Sequence, residues 1–273
     1  MPELPEVETV VRGLRGDLVG RTLQSMWHDW DNTIRPNPAE LAARIQGQKI
    51  HSLHRRAKYI VMTLDDGVLM IHLKMTGRLY VAKPDEVSDA DRWVHVKFGL
   101  DDGRELRFSD SRKFGRVYLA DTVEAVTGML GPEPLEDAFT SDVLHERLKK
   151  YKRAIKGVLL DQTFLAGVGN IYADEALHRA QIHPLRTANT LTSEEISTLH
   201  GTIRGALNDG LMREGASINW YRKPDGTQGQ AQTAFTVYDR EGKPCQTCGH
   251  PIEKIRVVQR GTHFCPHCQR LTD

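Results

Sequence analysis

Apolar side chains at Val7, Val10, Val11, Leu14 and Leu18 recur with a helical period and predict a helix over residues 5–18. From about Thr22 to Leu119 the pattern changes to that of strands. Tyr59–Leu64, the turn Asp65-Asp66-Gly67 and Val68–Leu73 read as a hairpin; Val94–Phe98 and Glu105–Phe108 flank a second acidic-glycine turn, Asp101-Asp102-Gly103. Several short strands with such turns predict a sandwich or barrel. Residues 140–215 read as helical, interrupted by Ala166-Gly-Val-Gly-Asn170. Helix, glycine turn, helix is a form in which several nucleic-acid binding motifs are built. Residues 217–235 are polar, with Gly226, Gly229 and alternating Gln, and predict a mobile loop of about nineteen residues.

Length and charge refine this picture. A chain of 273 residues holds one large domain or two ordinary ones. No apolar run approaches the roughly 20 residues of a membrane span. The opening MPELPEVE lacks the basic and apolar parts of a secretory signal, so a cytoplasmic location is expected. The net charge is +1, yet the charges are separated. Ala120–Val143 holds six acids and no base, and His145–Leu160 holds six bases and one acid, Glu146. With Gly131, Pro132 and Pro134, this shift predicts a domain boundary near residue 131. Arg104, Arg107, Arg112, Lys113 and Arg116 form a second basic cluster.

The sharpest chemical signal is C-terminal. Cys245-x2-Cys248, sixteen residues, then Cys265-x2-Cys268 has the spacing of a four-thiolate zinc site. A cytosolic chain disfavours disulfides, and two matched pairs disfavour a redox motif. Four thiolates leave zinc no open position, so one structural Zn2+ is expected, with His250, His263 and His267 surplus. Ile252–Phe264 between the pairs reads as a hairpin with a basic edge of Lys254, Arg256 and Arg260. The metal substitutes for a core in so small a segment.

The N-terminus carries a second signal. Loss of Met1 would leave Pro2 with a free secondary amine, partly unprotonated at neutral pH. Such an amine can attack an anomeric carbon, and Glu3 beside it can move protons. A purely structural reading competes: Pro5 begins a helix, and Glu6 and Glu8 suit its positive end. On these residues alone the structural reading is the stronger.

Met-Pro-Glu-Leu-Pro-Glu-Val-Glu, however, resembles the opening of the bacterial formamidopyrimidine-DNA glycosylases, repair enzymes that excise oxidised purines such as 8-oxoguanine. Arg56-Ala-Lys-Tyr59, His72-Leu-Lys-Met-Thr-Gly77, Asp110-Ser-Arg-Lys-Phe-Gly115, Gly167–Glu175 and Gln259–Gln269 resemble that family's motifs in its order, so the likeness spans nearly the whole chain. Two departures stand out: Lys113, where the family usually has a second Arg, and Trp93-Val94-His95, where it often has His-x-His.

The resemblance implies an α+β, multi-domain fold. An N-terminal β-sandwich domain with flanking helices would span 1–131. A helical helix-two-turn-helix domain would span 132–236, including a lesion-covering loop at 217–235. A zinc ribbon would span 237–273. Double-stranded DNA containing oxidised purines or abasic sites would run across a cleft between the halves, bound by a monomer. Pro2 would be the nucleophile, Glu3 the acid, Lys58 a proton donor in elimination, and Arg260 a phosphate grip linked to δ-elimination. Met75, Arg112 and Phe114 would fill the gap left by an extruded base. His72, His95, Lys156 and Asn170 would position the DNA; Glu6, Ser217 and Tyr238 would border the lesion. Three rivals remain open at this stage. They are the sister endonuclease VIII family, which usually begins Pro-Glu-Gly-Pro, a non-catalytic damage-binding module, and a zinc-ribbon scaffold for protein partners.

Overall fold

The computed structural model describes residues 1–271. The chain forms two compact units, Met1–Met129 with Arg213–Gln230, and residues 130–212 with 231 onward. Residues 213–230, part of the segment read from sequence as one long loop beside the helical domain, thus group with the first unit. Among the described residues, no helix is long and apolar enough to cross a membrane.

The first unit begins with α1 (Leu4–Leu18) and continues through β1 (Leu23–His28), β2 (Ile34–Arg35), α2 (Pro38–Ile45), β3 (Ser52–Arg56), β4 (Tyr59–Thr63), β5 (Val68–His72), β6 (Gly77–Ala82), β7 (Val94–Leu100), β8 (Glu105–Asp110) and β9 (Arg116–Ala120), with a single turn of helix, α3 (Glu124–Thr127). A four-stranded sheet of order β1-β7-β8-β6 and a five-stranded sheet of order β2-β9-β5-β4-β3 make the sandwich. Pairing is antiparallel except between β2 and β9. The inner faces supply Leu69, Ile71, Leu79, Val96, Phe98, Phe108 and Val117 to one core. The apolar stripe of α1 joins it through Val7, Val10, Val11, Leu14 and Leu18, each contributing about 1.5–3 kcal/mol of burial. Arg55 Nε lies 3.2 Å from Glu8 Oε2, tying the start of α1 to the end of β3.

Register explains why two turns lie together. Gly77 pairs with Asp110 in one sheet, and His72 pairs with Arg116 in the other. The connections 73–76 and 111–115 therefore both cross from sheet to sheet at the same end of the sandwich. Gly115 is required there, because a Cβ would strike the Phe108 ring.

The second unit contains α4 (Ser141–Leu148), α5 (Ile155–Leu159), α6 (Asn170–Arg179), α7 (Ser193–Met212) and the hairpin of β10 (Glu253–Val257) and β11 (Arg260–Phe264). Between α5 and α6 the Gln162 amide fixes the glycine turn: Nε2 donates to Val168 O at 2.8 Å, and Oε1 accepts from Gly167 N at 3.0 Å. Gly167 sits at φ +83°, a conformation that favours glycine.

Candidate active site and zinc centre

Pro2 and Glu3 are buried at the head of α1. Glu3 occupies the N-cap and forms a reciprocal capping box with Glu6. Glu6 Oε2 accepts the Glu3 N–H at 2.8 Å, and Glu6 Oε1 accepts the Ala216 N–H at 2.8 Å. One buried carboxylate therefore holds both the chain start and the 213–230 segment. Ser217 keeps that segment folded, donating to Tyr221 O at 2.9 Å and accepting from Gly229 N at 3.0 Å. Glu3, Glu6 and the segment carrying Ser217 are thus brought together.

Lys58 is buried in the β3–β4 turn, after Ala57 at φ +54°. Its charge bears on His72, the last residue of β5. The His72 ring meets Tyr59 edge-on at 4.7 Å, and its Nδ1 accepts the Lys74 N–H at 3.0 Å. Burial above all, then the Lys74 and Lys58 cations, push its pKa down to about 3. His72 is therefore a neutral imidazole carrying its proton on Nε2, a hydrogen-bond donor rather than a cation.

The two crossover turns carry Met75, Arg112 and Phe114, all exposed. Phe114 is 47% exposed at a turn whose base is buried, which suits a wedge better than a core residue. The Arg112 guanidinium lies over its ring at 4.7 Å, and Lys113 Nζ lies over the Trp30 ring at 4.6 Å. Below the turn, Arg116 Nη1 bonds the carbonyls of Lys113, Phe114 and Gly115 at 3.2, 2.9 and 2.7 Å.

In the second unit the four cysteine sulfurs lie within 4.8 Å of one another, with Cys245–Cys268 at 3.9 Å and Cys248–Cys265 at 3.4 Å. Zn–S bonds of 2.3 Å in a tetrahedron require sulfurs about 3.8 Å apart, so the cluster fits one structural zinc. The Cys268 N–H points to Cys265 Sγ at 3.4 Å, and His178 Nε2 lies 3.5 Å from Cys245 Sγ. Such donors around thiolates are the outer support that metal sites use. Arg260 opens β11 and is exposed, after a tight turn with Val258 and Gln259 at φ +42° and +61°.

Three of the residues expected to position DNA are engaged within the protein. Lys156 is fully buried: its ammonium lies 2.6 Å from Asp174 Oδ1 and donates to Thr262 Oγ1 at 2.6 Å. Asp174 Oδ2 also accepts the His263 N–H at 3.0 Å. Lys156 thus clamps the zinc hairpin to α6 rather than meeting solvent, where a phosphate would be. His95 is also interior, its Nδ1 2.7 Å from Asp29 Oδ1. Asn170, at the start of α6, gives its amide to Gly261 O at 2.9 Å and so fixes the strand beside Arg260. Tyr238 packs edge-on against Phe235 and His263, and its N–H is one of three consecutive amides, from Thr236, Val237 and Tyr238, held by the Glu175 carboxylate at 2.9–3.0 Å. Sequence reasoning missed Glu175, Asp174 and Asp110. Their only signal was an acid inside a motif, and each is almost fully buried.

A sandwich with a buried Pro-Glu terminus and an exposed aromatic turn, joined to a helix-turn-helix unit with a four-thiolate ribbon, defines a zinc-containing DNA glycosylase of the helix-two-turn-helix class. The models of the formamidopyrimidine-DNA glycosylase N-terminal domain, its H2TH domain, and the zinc finger found in FPG and IleRS match residues 1–117, 130–222 and 242–271. The formamidopyrimidine-DNA glycosylase of Chloroflexus aggregans is 50% identical over 99% of both chains, and that of Geobacillus kaustophilus is 45% identical over 99% of this chain and 100% of its own. The Lactococcus lactis Fpg bound to DNA containing an abasic site superposes with a TM-score of 0.91 at 36% identity, covering 98% of this chain and 100% of that one. The chain belongs to the formamidopyrimidine-DNA glycosylase family.

Proposed function

We propose that this protein is a bifunctional DNA repair glycosylase and abasic-site lyase that excises oxidised purines, 8-oxoguanine and formamidopyrimidines, from duplex DNA. A base within a duplex must first be extruded, at a cost of a few kcal/mol. Phe114 wedges into the base step, Met75 fills the void, and Arg112 hydrogen-bonds the base left behind. Pro2 follows Met1 in the chain, so its nitrogen is an amide until that residue is removed. The freed amine then attacks C1′, forming a C–N bond as the C1′–base bond breaks; the base leaves with the electron pair and takes up a proton, and the amine gives up its own. Glu3 protonates the ring oxygen, the sugar opens, and an iminium remains. The iminium acidifies the adjacent carbon, whose proton is lost as the 3′ phosphate departs; a second elimination expels the 5′ phosphate. Lys58 serves proton transfer, Arg260 grips phosphate, and neutral His72 donates Nε2–H.

The observation that carries this reading is the buried Pro2–Glu3 terminus, fixed by Glu6 and backed by the 213–230 segment. The relatives support the substrate class: one Lactococcus lactis Fpg complex contains N7-benzyl-Fapy-dG DNA, and a MutM complex contains carbocyclic 8-oxo-G DNA. Residues 1–131, 132–236 and 237–273 serve as catalytic, DNA-binding and zinc-ribbon segments, with 213–230 grouped with the catalytic unit, and the protein works in the cytoplasm on the nucleoid. The test is borohydride reduction during reaction with a duplex bearing one 8-oxoguanine. A covalent protein–DNA adduct is expected. Faster processing of thymine glycol would move the protein to the endonuclease VIII chemistry, and no adduct with either lesion would overturn the lyase reading.

A further inference from the structure

The Met75 and Arg112–Phe114 turns converge on one buried side chain. Asp110, 1% exposed, ends β8 at the foot of the second turn. Its Oδ1 accepts the hydroxyl of Thr76, the neighbour of Met75, and the Arg112 N–H at 3.2 Å. Its Oδ2 accepts the Gly115 N–H at 2.6 Å, and its backbone carbonyl accepts the Lys113 N–H at 3.1 Å. Among the described residues it makes no ion pair, so hydrogen-bond donors from the two turns are its hydrogen-bonding partners.

We propose that Asp110 is a positioning residue that couples the two void-filling turns through Thr76, so that Met75 and Phe114 enter the base stack as one rigid piece. A wedge that opens a base step and a side chain that fills the void behind it must arrive in register; a free turn would have to be ordered at that moment, at a cost in entropy. A carboxylate can accept from both turns at once because it has acceptor oxygens on both sides. Asparagine cannot: with its oxygen toward Thr76, its NH2 would face the Gly115 N–H, donor against donor.

This inference rests on the base-extrusion reading above, and its test separates the two. Thr76→Val cuts the side-chain link between the turns while leaving the β6–β8 pairing, Asp110 and the second turn intact. The rate of 8-oxoguanine excision from a duplex paired with cytosine is expected to fall about tenfold or more, the scale of one hydrogen bond to a charged acceptor. Cleavage of a pre-formed abasic site is expected to stay within about twofold, since no base needs extruding. The fluorescence rise of 2-aminopurine beside the lesion, which reports unstacking, should slow by the same factor as excision, and Thr76→Ser should restore both. Asp110→Asn should show the same split more strongly; if it does not fold, the Thr76 pair decides alone. Equal losses on both substrates, or no loss on either, overturn the coupling. If the wild-type protein itself excises no 8-oxoguanine, the functional reading fails instead.

Discussion

The buried neutral His72 makes acid stability of the first unit a direct test of the site's electrostatics. In the unfolded chain an imidazole takes its proton near pH 6.5; in the folded unit burial, with Lys74 and Lys58, holds it off until about pH 3. Above pH 6.5 neither state is protonated and the site contributes no pH dependence. Below it, the unfolded state binds a proton that the folded state refuses, so stability falls as pH falls, by about 1.4 kcal/mol per unit. Between pH 7 and pH 5 the loss assigned to His72 is about 2 kcal/mol. All four tryptophans, Trp27, Trp30, Trp93 and Trp220, lie in the first unit, so their fluorescence during urea unfolding reports that unit alone. Wild type and His72→Gln should be compared at both pH values; the other histidines are common to both and cancel. The wild type is expected to lose about 2 kcal/mol more than the variant on going to pH 5. Equal losses would show that the imidazole titrates freely in the folded protein, and the neutral-donor role would go with it.

A chain retaining Met1 is expected to bind damaged duplex yet neither cleave it nor form a borohydride adduct, because an amide nitrogen lacks the available lone pair; normal trapping would refute Pro2 as nucleophile. Cys248→Ala should lose zinc, measured by atomic emission, together with duplex binding, since the metal folds the hairpin that presents Arg260; full affinity without zinc would remove the ribbon from the DNA-gripping role. Lys156→Met strands the Asp174 carboxylate in the interior and should destabilise the second unit by about 3–5 kcal/mol, followed by circular dichroism of its helices. Adding Asp174→Leu should recover part of that loss, the remainder being the buried His263 N–H left without its acceptor; an unaffected single variant would mean that the pair is not buried.

What could be read from the chain were signals local in sequence. The two Cys-x2-Cys pairs, the helical stripe of Val7 to Leu18, and the hairpin around Asp65-Asp66-Gly67 each declare themselves within about thirty residues. The Pro-Glu terminus was legible only through family likeness, because proline and glutamate at a helix start also serve packing. Charge says less about individual side chains. Of the bases in 145–160, Lys149 pairs with Glu146, Arg153 with Asp161, Arg147 bonds the carbonyls of Thr163 and Phe164, and Lys156 is buried. Arg107, in the other cluster, is spent on Glu105 and Asp91. A run of cations says nothing about which of them fold inward, since their partners are often far along the chain. Asp110 was illegible for the same reason: its importance follows from the pairing of β6 with β8, a register that local pattern does not reveal.

The Arg116 guanidinium beneath the wedge also sets the polarity of what the tip offers. Three successive peptide oxygens, from Lys113, Phe114 and Gly115, are gathered on one cation, and the left-handed turn at Lys113, φ +57°, bends the chain enough to let them converge. If Phe114 enters a base stack as proposed, carbonyls left pointing outward there would repel the polyanion. With those oxygens held from behind, the exposed side chains of the turn are Arg112 and Phe114, the guanidinium lying over the ring. On the proposed reading the wedge is electrostatically one-sided, with the Arg116 cation behind the turn that carries Phe114.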